Sequence, residues 1–329
     1  MGAVAYTIEL NEYWGPRETR FFGEGYKRAR HDLDVLAHQR DSLEGIASVS
    51  YPDDWSKKGD ASQRAHLSTV DVLLFGVQVA ELILVGRYGL TETGRRQSWV
   101  RSASIAGGAS PVEDSLSALA VAGLLRSTAG FGSAMVSSVV TVKIASLNVK
   151  VEIVHPPTST NALEPDLAAT RGLLAESRDQ LYRDGYKRNE VNVETVLVEP
   201  GGTQGSGALS IGPSAGAARA PFTGLEGQFG AVPSFIDAFV AALQAGQVLL
   251  YELDGIKRAE SNTLWMRRTR ISAPGPLRQA SKAAFRVELS QPRVVVYGGS
   301  NWRAATIKAE VDQISVACSV THRVSDEAA

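Results

Sequence analysis

The chain has 329 residues, of which 44% are hydrophobic, so it is long enough to bury one large core or two medium ones. Its 34 basic and 35 acidic residues leave a net charge of −1, which excludes a global basic field that would collect nucleic acid or an anionic membrane. The single cysteine, Cys318, excludes an internal disulfide framework, and no secretory signal is visible at the start. We therefore expect a soluble, cytoplasmic protein.

The first part of the chain predicts an arm, two strands and a long helix. Residues 1–20 show no period and are expected to form the leading arm. Strand-like runs follow at 32–38 and 45–51. Ser68 has the residue type of an N-cap, and the helix that it begins is expected to end at Gly89.

This helix is apolar on nearly every face. Its run from 70 to 85 is interrupted only by Asp71, Gln78 and Glu81. A run of this length favours a buried core helix over a membrane span. Such a helix must be surrounded by protein on all sides.

After the helix the hydrophobic period changes to two. Alternating or β-branched runs, bounded by Gly, Ser and Pro, predict strands at 97–106, 117–127, 134–144 and 147–155. Residues 156–180 begin with two prolines and become helix-like from 162, which favours a linker.

The second half repeats the first. The tetrapeptide Gly-Tyr-Lys-Arg at 25–28 returns at 185–188, ahead of a strand-like run at 191–199. The glycine-rich stretch 200–216 lacks the ending of a phosphate-binding loop and is expected to be an ordinary loop. A second long apolar helix is expected from 234 to 254.

The two helices align without a gap at an offset of 166 residues. Matching residues in the same order, on matching predicted elements, indicate an internal duplication. The aligned pairs are Ser68 and Ser234, Asp71 and Asp237, Gln78 and Gln244, Leu84 and Leu250, Gly89 and Gly255, Trp99 and Trp265, Arg101 and Arg267, and Ile105 and Ile271.

Each half therefore predicts strands, a long helix and then several antiparallel strands. A curved antiparallel sheet wrapped around a central helix is the hot-dog arrangement. Two such halves in one chain would pair their sheets side by side. We expect an α+β double hot-dog, with a first half at 1–155, a linker at 156–180 and a second half at 181–329.

Candidate catalytic residues lie at the helix starts. His66 could act there as a general base, and a helix N-terminus offers N–H groups to a carbonyl oxygen that gains charge. His66 has no counterpart, because Val232 occupies its place, and we expect it to face Asp237 across the interface between halves. The alternative for Asp71 and Asp237 is helix capping, and for His66 simple solvation.

Other candidates are residues that could bind substrate. These are Ser68 and Ser234 at the helix starts, Glu81 as a carboxylate buried by pattern, and Tyr26 and Arg28, which could bind a sugar or a phosphate. The alternative for Tyr26 and Arg28 is a packed ring and a solvated cation. No His, Cys, Asp and Glu spacing predicts a metal site.

The helix entries resemble those of the hot-dog dehydratase domains of polyketide assembly lines, which carry His-Pro-x-x-x-Asp. Here His66 and Asp71 keep the His and Asp, whereas Pro233 and Asp237 keep the Pro and Asp. The glycine-rich histidine motif of those dehydratases is absent, so the resemblance does not imply plain dehydration.

A resemblance that covers more of the chain is to the avirulence protein D family. It is carried by Phe21-Phe22-Gly23-Glu24-Gly25-Tyr26-Lys27-Arg28, Tyr51-Pro52-Asp53-Asp54-Trp55-Ser56, His66-Leu67-Ser68-Thr69-Val70-Asp71 and Arg87-Tyr88-Gly89-Leu90. That family is associated with acyl-sugar butenolide elicitors of the syringolide type. Butyrolactone-autoregulator synthases, which are also hot-dog proteins, perform a similar acyl transfer.

The resemblance implies an enzyme that joins a β-ketoacyl thioester to a small ketose and closes a lactone ring. The partners would be an acyl carrier protein or coenzyme A thioester and the ketose, with no cofactor; a homodimer is possible. Two alternatives stay open: a hot-dog dehydratase or thioesterase that acts without a sugar, and a non-catalytic acyl-ligand binding protein.

Overall fold

In a computed structural model, one large antiparallel sheet wraps around two long helices. The structure describes residues 4–58, 61–62, 64–108, 110–157, 165–176, 178–213, 222–230, 233–257, 261, 264–278 and 280–324. Its helices are α1 (Leu10–Trp14), α2 (Thr69–Tyr88), α3 (Glu92–Gln97), α4 (Leu167–Glu176) and α5 (Phe235–Asp254).

The two long helices, α2 and α5, begin and end in the same way. Ser68 accepts a hydrogen bond from the Asp71 backbone N–H while the Asp71 carboxylate accepts one from the Ser68 N–H, and Ser234 and Asp237 form the same capping box. Gly89 and Gly255 end the helices in the left-handed region, both at φ 60°. The predicted helix bounds and the predicted alignment of the two copies therefore agree with the structure.

The strands fall into two sets that match the two copies. The first copy contributes β2 (Arg30–Gln39), β3 (Ser42–Ser50), β4 (Lys57–Lys58), β5 (Ala61–Ser62), β6 (Trp99–Ala106), β7 (Leu119–Phe131), β8 (Met135–Ile144) and β9 (Leu147–His155). The second contributes β10 (Asn189–Val193), β11 (Thr195–Val198), β12 (Gln204–Pro213), β13 (Trp265–Ser272), β14 (Lys282–Tyr297), β15 (Ser300–Val311) and β16 (Ile314–Arg323).

Together with β1 (Tyr6–Glu9) of the N-terminal arm, all of these except the β4–β5 pair form one 14-stranded sheet. Its order is β1-β11-β12-β14-β15-β16-β13-β6-β9-β8-β7-β3-β2, and β10 also pairs with β12. The two copies meet where β6 pairs with β13 in antiparallel register, with Ile105 opposite Thr269 and Ala103 opposite Ile271. We call this β6–β13 junction the seam. Two half-sheets joined side by side around two helices are the double hot-dog fold, as predicted.

The core lies between the sheet and these helices. Side chains on every face of α2 from Val70 to Leu84 are buried, and α5 is buried almost throughout. Both helices have the length and composition of a membrane span, but 83% of each apolar window is buried inside the protein. They are core helices that pack against the sheet.

The N-terminal arm crosses to the other copy. Strand β1 (Tyr6–Glu9) pairs with β11, which belongs to the second copy. Tyr13 at the end of the arm donates a hydrogen bond to the Glu252 side chain on α5, at 2.7 Å. The division of the chain at 155 and 181 stays a prediction, but the arm packs on the second copy.

Four local predictions differ from the structure. The run predicted as a strand from 97 begins with the end of α3, and the strand starts at Trp99. The predicted strand 191–199 is broken at Glu194 into β10 and β11. The linker was predicted to become helix-like from residue 162, and its helix in the structure is α4, Leu167–Glu176. Residues 158–164 lie outside the described residues.

The fourth difference is the glycine-rich stretch, which forms β12 and not a loop. Gly207 explains the unusual composition, because a Cβ there would lie 2.5 Å from the Phe285 ring and 2.7 Å from the Thr195 carbonyl oxygen. A strand approached this closely on both sides needs glycine in spite of its low strand propensity.

Candidate active site

A cavity of about 300 Å³ lies between the start of α2 and the body of α5. Its floor and walls come from both copies, from the arm and from the end of the seam. Trp14, Arg20, Phe21, Phe22, Trp55, His66, Ser68, Thr69, Gly107, Gln244, Gln247, Tyr251, Trp265, Met266 and Arg267 are among the residues that line it.

The N-terminus of α2 forms one side of this cavity. The capping box occupies the backbone N–H groups of Ser68 and Asp71, and that of Val72 donates to the Ser68 carbonyl. Among the described residues, none accepts a hydrogen bond from the N–H of Thr69 or Val70. These two groups and the positive end of the helix dipole are suited to an oxygen that gains negative charge.

His66 lies directly before this helix and lines the cavity. Its Nδ1 is 3.2 Å from the Arg64 carbonyl oxygen, and its ring packs at 73° against Trp55, with centroids 5.6 Å apart. A carbonyl can only accept, so Nδ1 carries a proton and the neutral imidazole has its lone pair on Nε2. Nε2 makes no hydrogen bond to any described residue, which leaves it available as a base.

Asp71 does not pair with His66. Its carboxylate accepts from the Ser68 N–H at 2.7 Å, bonds to His31 Nε2 at 2.6 Å and accepts from the Tyr51 hydroxyl. Burial raises the pKa of Asp71, but the hydrogen bond and charge of His31, with the Tyr51 and Ser68 hydrogen bonds, outweigh it and hold that pKa below its usual value.

Asp237 does not meet His66 either, so the expected pair across the interface is wrong. Its Oδ2 accepts from the N–H and hydroxyl of Ser234, both at 2.8 Å, and both residues are fully buried. A capping box turns the carboxylate back onto its own helix start, away from a neighbouring chain segment. Asp237 Oδ1 has no hydrogen-bond partner among the described residues, and burial raises the pKa of this carboxyl.

His31 and Tyr51 are contacts of the helix start that sequence reasoning missed. The repeated tetrapeptide places Val191 opposite His31 at an offset of 160 residues, so the second copy has no equivalent histidine. That substitution was the available signal. It explains why Asp71 is paired and Asp237 is not.

The place that corresponds to this cavity lies between the start of α5 and the body of α2, so that the two copies exchange roles. The counterparts of Gln244 and Gln247 are Gln78 and Glu81. Gln78 Nε2 donates to the Tyr182 carbonyl at 2.8 Å, and Glu81 pairs with Arg95 at 2.8 Å and accepts from the Leu225 N–H at 3.0 Å. Protein groups therefore bind both of the α2 side chains that correspond to the cavity-lining glutamines of α5.

Residues 222–230, which we call the plug, supply one of these contacts, the Leu225 N–H from which Glu81 accepts. Glu226 is fully buried and accepts from the Val100 N–H at 2.8 Å and from the Tyr182 hydroxyl at 3.1 Å. Burial raises the pKa of Glu226 to about 7. Phe229 packs edge-on against Trp99 at 6.2 Å, and Trp99 is the first-copy counterpart of the cavity-lining Trp265. The open site is thus the one that contains His66.

The remaining predicted substrate-binding residues lie outside this cavity, except Ser68. Ser234 at the start of α5 and Glu81 in the body of α2 are buried. Tyr26 is buried and stacks on Tyr186 at 6.0 Å, and Arg28 pairs with Asp54. The two glutamines on α5 were missed as site residues. Neither amide forms a hydrogen bond with a described residue, although Gln244 is only 5% exposed.

Within the described parts of the chain, no group of three His, Cys, Asp or Glu side chains could hold a metal ion.

Several solved structures align with most of the chain at low identity. The tesB protein of Mycobacterium avium subs. paratuberculosis has a TM-score of 0.40 and 10% identity, covering 88% of this chain and 96% of its own. An acyl-CoA thioesterase II from Mycobacterium marinum has a TM-score of 0.38 and 12% identity, covering 90% and 96%. A bifunctional dehydratase-cyclase domain in ambruticin biosynthesis has a TM-score of 0.31 and 15% identity, covering 90% and 95%. Scores this low transfer no activity.

The family comparison is specific. No curated protein matches the sequence significantly. The model of one family, described as Pseudomonas avirulence D protein, matches residues 7–325, which is nearly the whole chain and includes His66, the cavity and the plug. The chain is therefore a member of the avirulence D protein (AvrD) family.

Proposed function

We propose that the protein joins a β-ketoacyl thioester to a small ketose, by acyl transfer and then by ring closure to a butenolide. The observation that carries this proposal is the cavity that both His66 and Thr69, the first residue of α2, line, with His66 Nε2 and the Thr69 N–H unpaired among the described residues. Family membership supports the acyl-sugar product that the sequence resemblance implied.

The cavity supports the first step, which is an acyl transfer. His66 Nε2 takes the proton of a ketose hydroxyl while its oxygen attacks the thioester carbonyl carbon. The oxyanion that forms accepts hydrogen bonds from the N–H groups of Thr69 and Val70. The carbon–sulfur bond then breaks, and the thiol leaves with the proton from the His66 imidazolium.

Ring closure uses the same base. The carbon between the two carbonyls of the β-ketoacyl group is acidic, and it loses its proton to His66. The carbanion attacks the ketose carbonyl, a carbon–carbon bond forms, and loss of water gives the unsaturated ring. These steps need no oxidant, metal or cofactor.

The opposite wall of the cavity supplies the polar groups that orient the substrates. Gln244 and Gln247 present amides from α5 among apolar and aromatic neighbours. A few polar groups in a largely apolar pocket are typical of sites that fix the orientation of a ligand. Gln247 would hold ketose hydroxyls, and Asp71 would act only by fixing the start of α2.

The proposal is tested by mass spectrometry of the protein mixed with a β-ketoacyl thioester, with and without xylulose or a triose phosphate. The proposal predicts thiol release that depends on the ketose and a product at the mass of the acylated or dehydrated sugar. Thioester consumed equally without sugar would replace the proposal with a thioesterase or dehydratase activity. Retention of the acyl chain without turnover would indicate a binding protein.

A further inference from the structure

We infer that the outer face of the sheet at the seam is a docking surface for an acidic acyl carrier protein. This inference rests on the proposed function, because it names the partner that would deliver the thioester to the open cavity. It chooses a carrier protein over free coenzyme A.

The docking surface consists of four exposed cations, which we call the seam patch: Lys143, Lys150, Arg268 and Arg270. Strand register places them on one face. Arg270 lies opposite Ser104, which lies opposite Lys150. Directly opposed residues in neighbouring strands point to the same side of a sheet, and here the alternate residues, such as Thr269 and Val149, are buried.

The second row of the seam patch has the same arrangement. Arg268 lies opposite Ala106, Ala106 opposite Asn148, and Asn148 opposite Lys143. The patch therefore crosses the seam and takes two residues from each copy of the duplication.

The charges of the seam patch are not balanced locally. None of its four residues forms an ion pair with a residue in the described part of the chain, whereas the neighbouring Lys308 pairs with Glu288 at 3.1 Å and Arg101 with Glu152 at 2.9 Å. The chain as a whole has a net charge of −1, so the excess of cations in the seam patch is local and not part of a global basic field. Uncompensated positive charge on one face steers an acidic partner.

The seam patch adjoins the cavity entrance. Gly107 and Arg267 both line the cavity and are joined by a hydrogen bond from the Gly107 N–H to the Arg267 carbonyl at 3.0 Å. They are the chain neighbours of Ala106 and Arg268, the pair from which the second row of the patch begins. A protein bound to the seam patch would thus lie beside the opening through which its acyl group must enter.

The spread of the charges favours a protein surface over a single phosphate. Arg270 and Lys150 are two strands apart, which separates their Cα atoms by about 10 Å. One phosphate cannot contact cations spread over two rows and four strands. An acidic helix of a carrier protein presents several carboxylates over a comparable area.

Binding is measured first, since it does not depend on turnover. The titration uses a fluorescently labelled apo acyl carrier protein and follows anisotropy at 20 and 200 mM salt with wild-type protein, the double variant Arg268→Glu/Arg270→Glu, and Arg40→Glu. Arg40 is the control because it is exposed in the β2–β3 turn, at the sheet edge away from the seam. We expect the double variant to weaken binding at least about tenfold and Arg40→Glu to leave it within twofold. Wild-type binding should weaken at the higher salt.

Turnover then separates docking from chemistry. With a β-ketoacyl chain on the carrier, KM should rise at least tenfold in the double variant, while KM and kcat for the same chain on free pantetheine stay unchanged. If wild-type protein turns over no thioester, the proposed function fails, and the binding titration alone decides on docking. Equal binding by wild type and the double variant would overturn the inference, and so would equal loss in Arg40→Glu. The inference would also be overturned if wild-type protein bound anionic vesicles more tightly than the carrier protein and the double variant no longer bound the vesicles.

Discussion

Removal of the two capping carboxylates should destabilise the protein to different extents, although they occupy equivalent positions. Asp71 is held by hydrogen bonds to His31, Tyr51 and Ser68, whereas Asp237 has Ser234 as its one hydrogen-bond partner in the described part of the chain. We expect Asp71→Ala to be much more destabilising than Asp237→Ala at neutral pH.

The magnitude follows from the contacts that each substitution removes. Breaking a buried pair by removing one partner costs about 3–5 kcal/mol, and Asp71→Ala also leaves the Tyr51 and Ser68 donors without an acceptor. With an unfolding entropy of about 2.1 cal/mol/K per residue, this lowers Tm by about 4–7 °C in a chain of 329 residues. Asp237→Ala removes a cap, which costs about 0.5–2 kcal/mol, and this cost is offset by loss of an unpaired buried charge.

The contributions of the two carboxylates to stability should depend on pH with opposite signs, each over its own pH range. The pKa of Asp71 is lowered in the folded protein, so its contribution is full above the ordinary value of 3.8 and is lost as pH falls through the folded pKa. The pKa of Asp237 is raised, so its contribution is largest at low pH and falls as pH rises from 3.8 through the raised folded value. Lowering the pH from 7 towards 4 should therefore enlarge the defect of Asp237→Ala and leave that of Asp71→Ala unchanged.

Urea unfolding of both variants and the wild type, at pH 7 and pH 4.5, measures these differences. The expected result is a gap of about 2–3 kcal/mol between the variants at pH 7, which narrows at pH 4.5. Equal destabilisation at both pH values would refute the assignment of His31 as the partner of Asp71. His31→Ala provides a further check, because it should reproduce most of the Asp71→Ala defect.

Three other substitutions test separate parts of the structure. Because the pKa of Glu226 is raised to about 7, the wild type should lose at least about 1 kcal/mol of unfolding free energy as pH rises from 4.5 to 8, and Glu226→Gln should not. Urea unfolding at pH 4.5 and 8 measures this, and an equal loss in both proteins would contradict the raised pKa. Gly76→Ala should destabilise the protein by about 1–3 kcal/mol, because the added Cβ would lie 2.5 Å from Val149 Cγ1. The control is Gly172→Ala, which has nothing within 4 Å of the added Cβ and should stabilise α4 slightly. Similar shifts of Tm in the two variants would contradict this packing. Gln247→Leu should raise KM for the ketose about tenfold with Tm within 1 °C, and an unchanged KM would exclude that contact.

Features encoded by local spacing could be predicted from the sequence. The caps Ser68 and Ser234, the helix stops Gly89 and Gly255 and the strand 147–155 all agree with the structure, because each depends on residues a few positions apart. The duplication then gave the double hot-dog, since two equivalent helices need equivalent sheets around them.

Features that depend on distant contacts could not be predicted. His31 and Asp71 are 40 residues apart in sequence, and nothing local shows that they meet. The same limit applies to the plug, because the pairing of Glu226 with Val100 spans 126 residues. The expected contact between His66 and Asp237 was wrong because the capping box, which the sequence did indicate, already commits the carboxylate to its own helix.

The central claim is that His66, which lines the cavity, is the general base, and His66→Asn tests it most directly. The measurement is the rate of thiol release from a β-ketoacyl thioester with saturating ketose, together with Tm. A general base contributes about 10²–10⁴-fold. Among the described residues, the hydrogen bond and the ring contact of His66 are to the Arg64 carbonyl and to Trp55. The account predicts at least a 100-fold slower release with Tm within about 1 °C of wild type. A rate within threefold of wild type would contradict it.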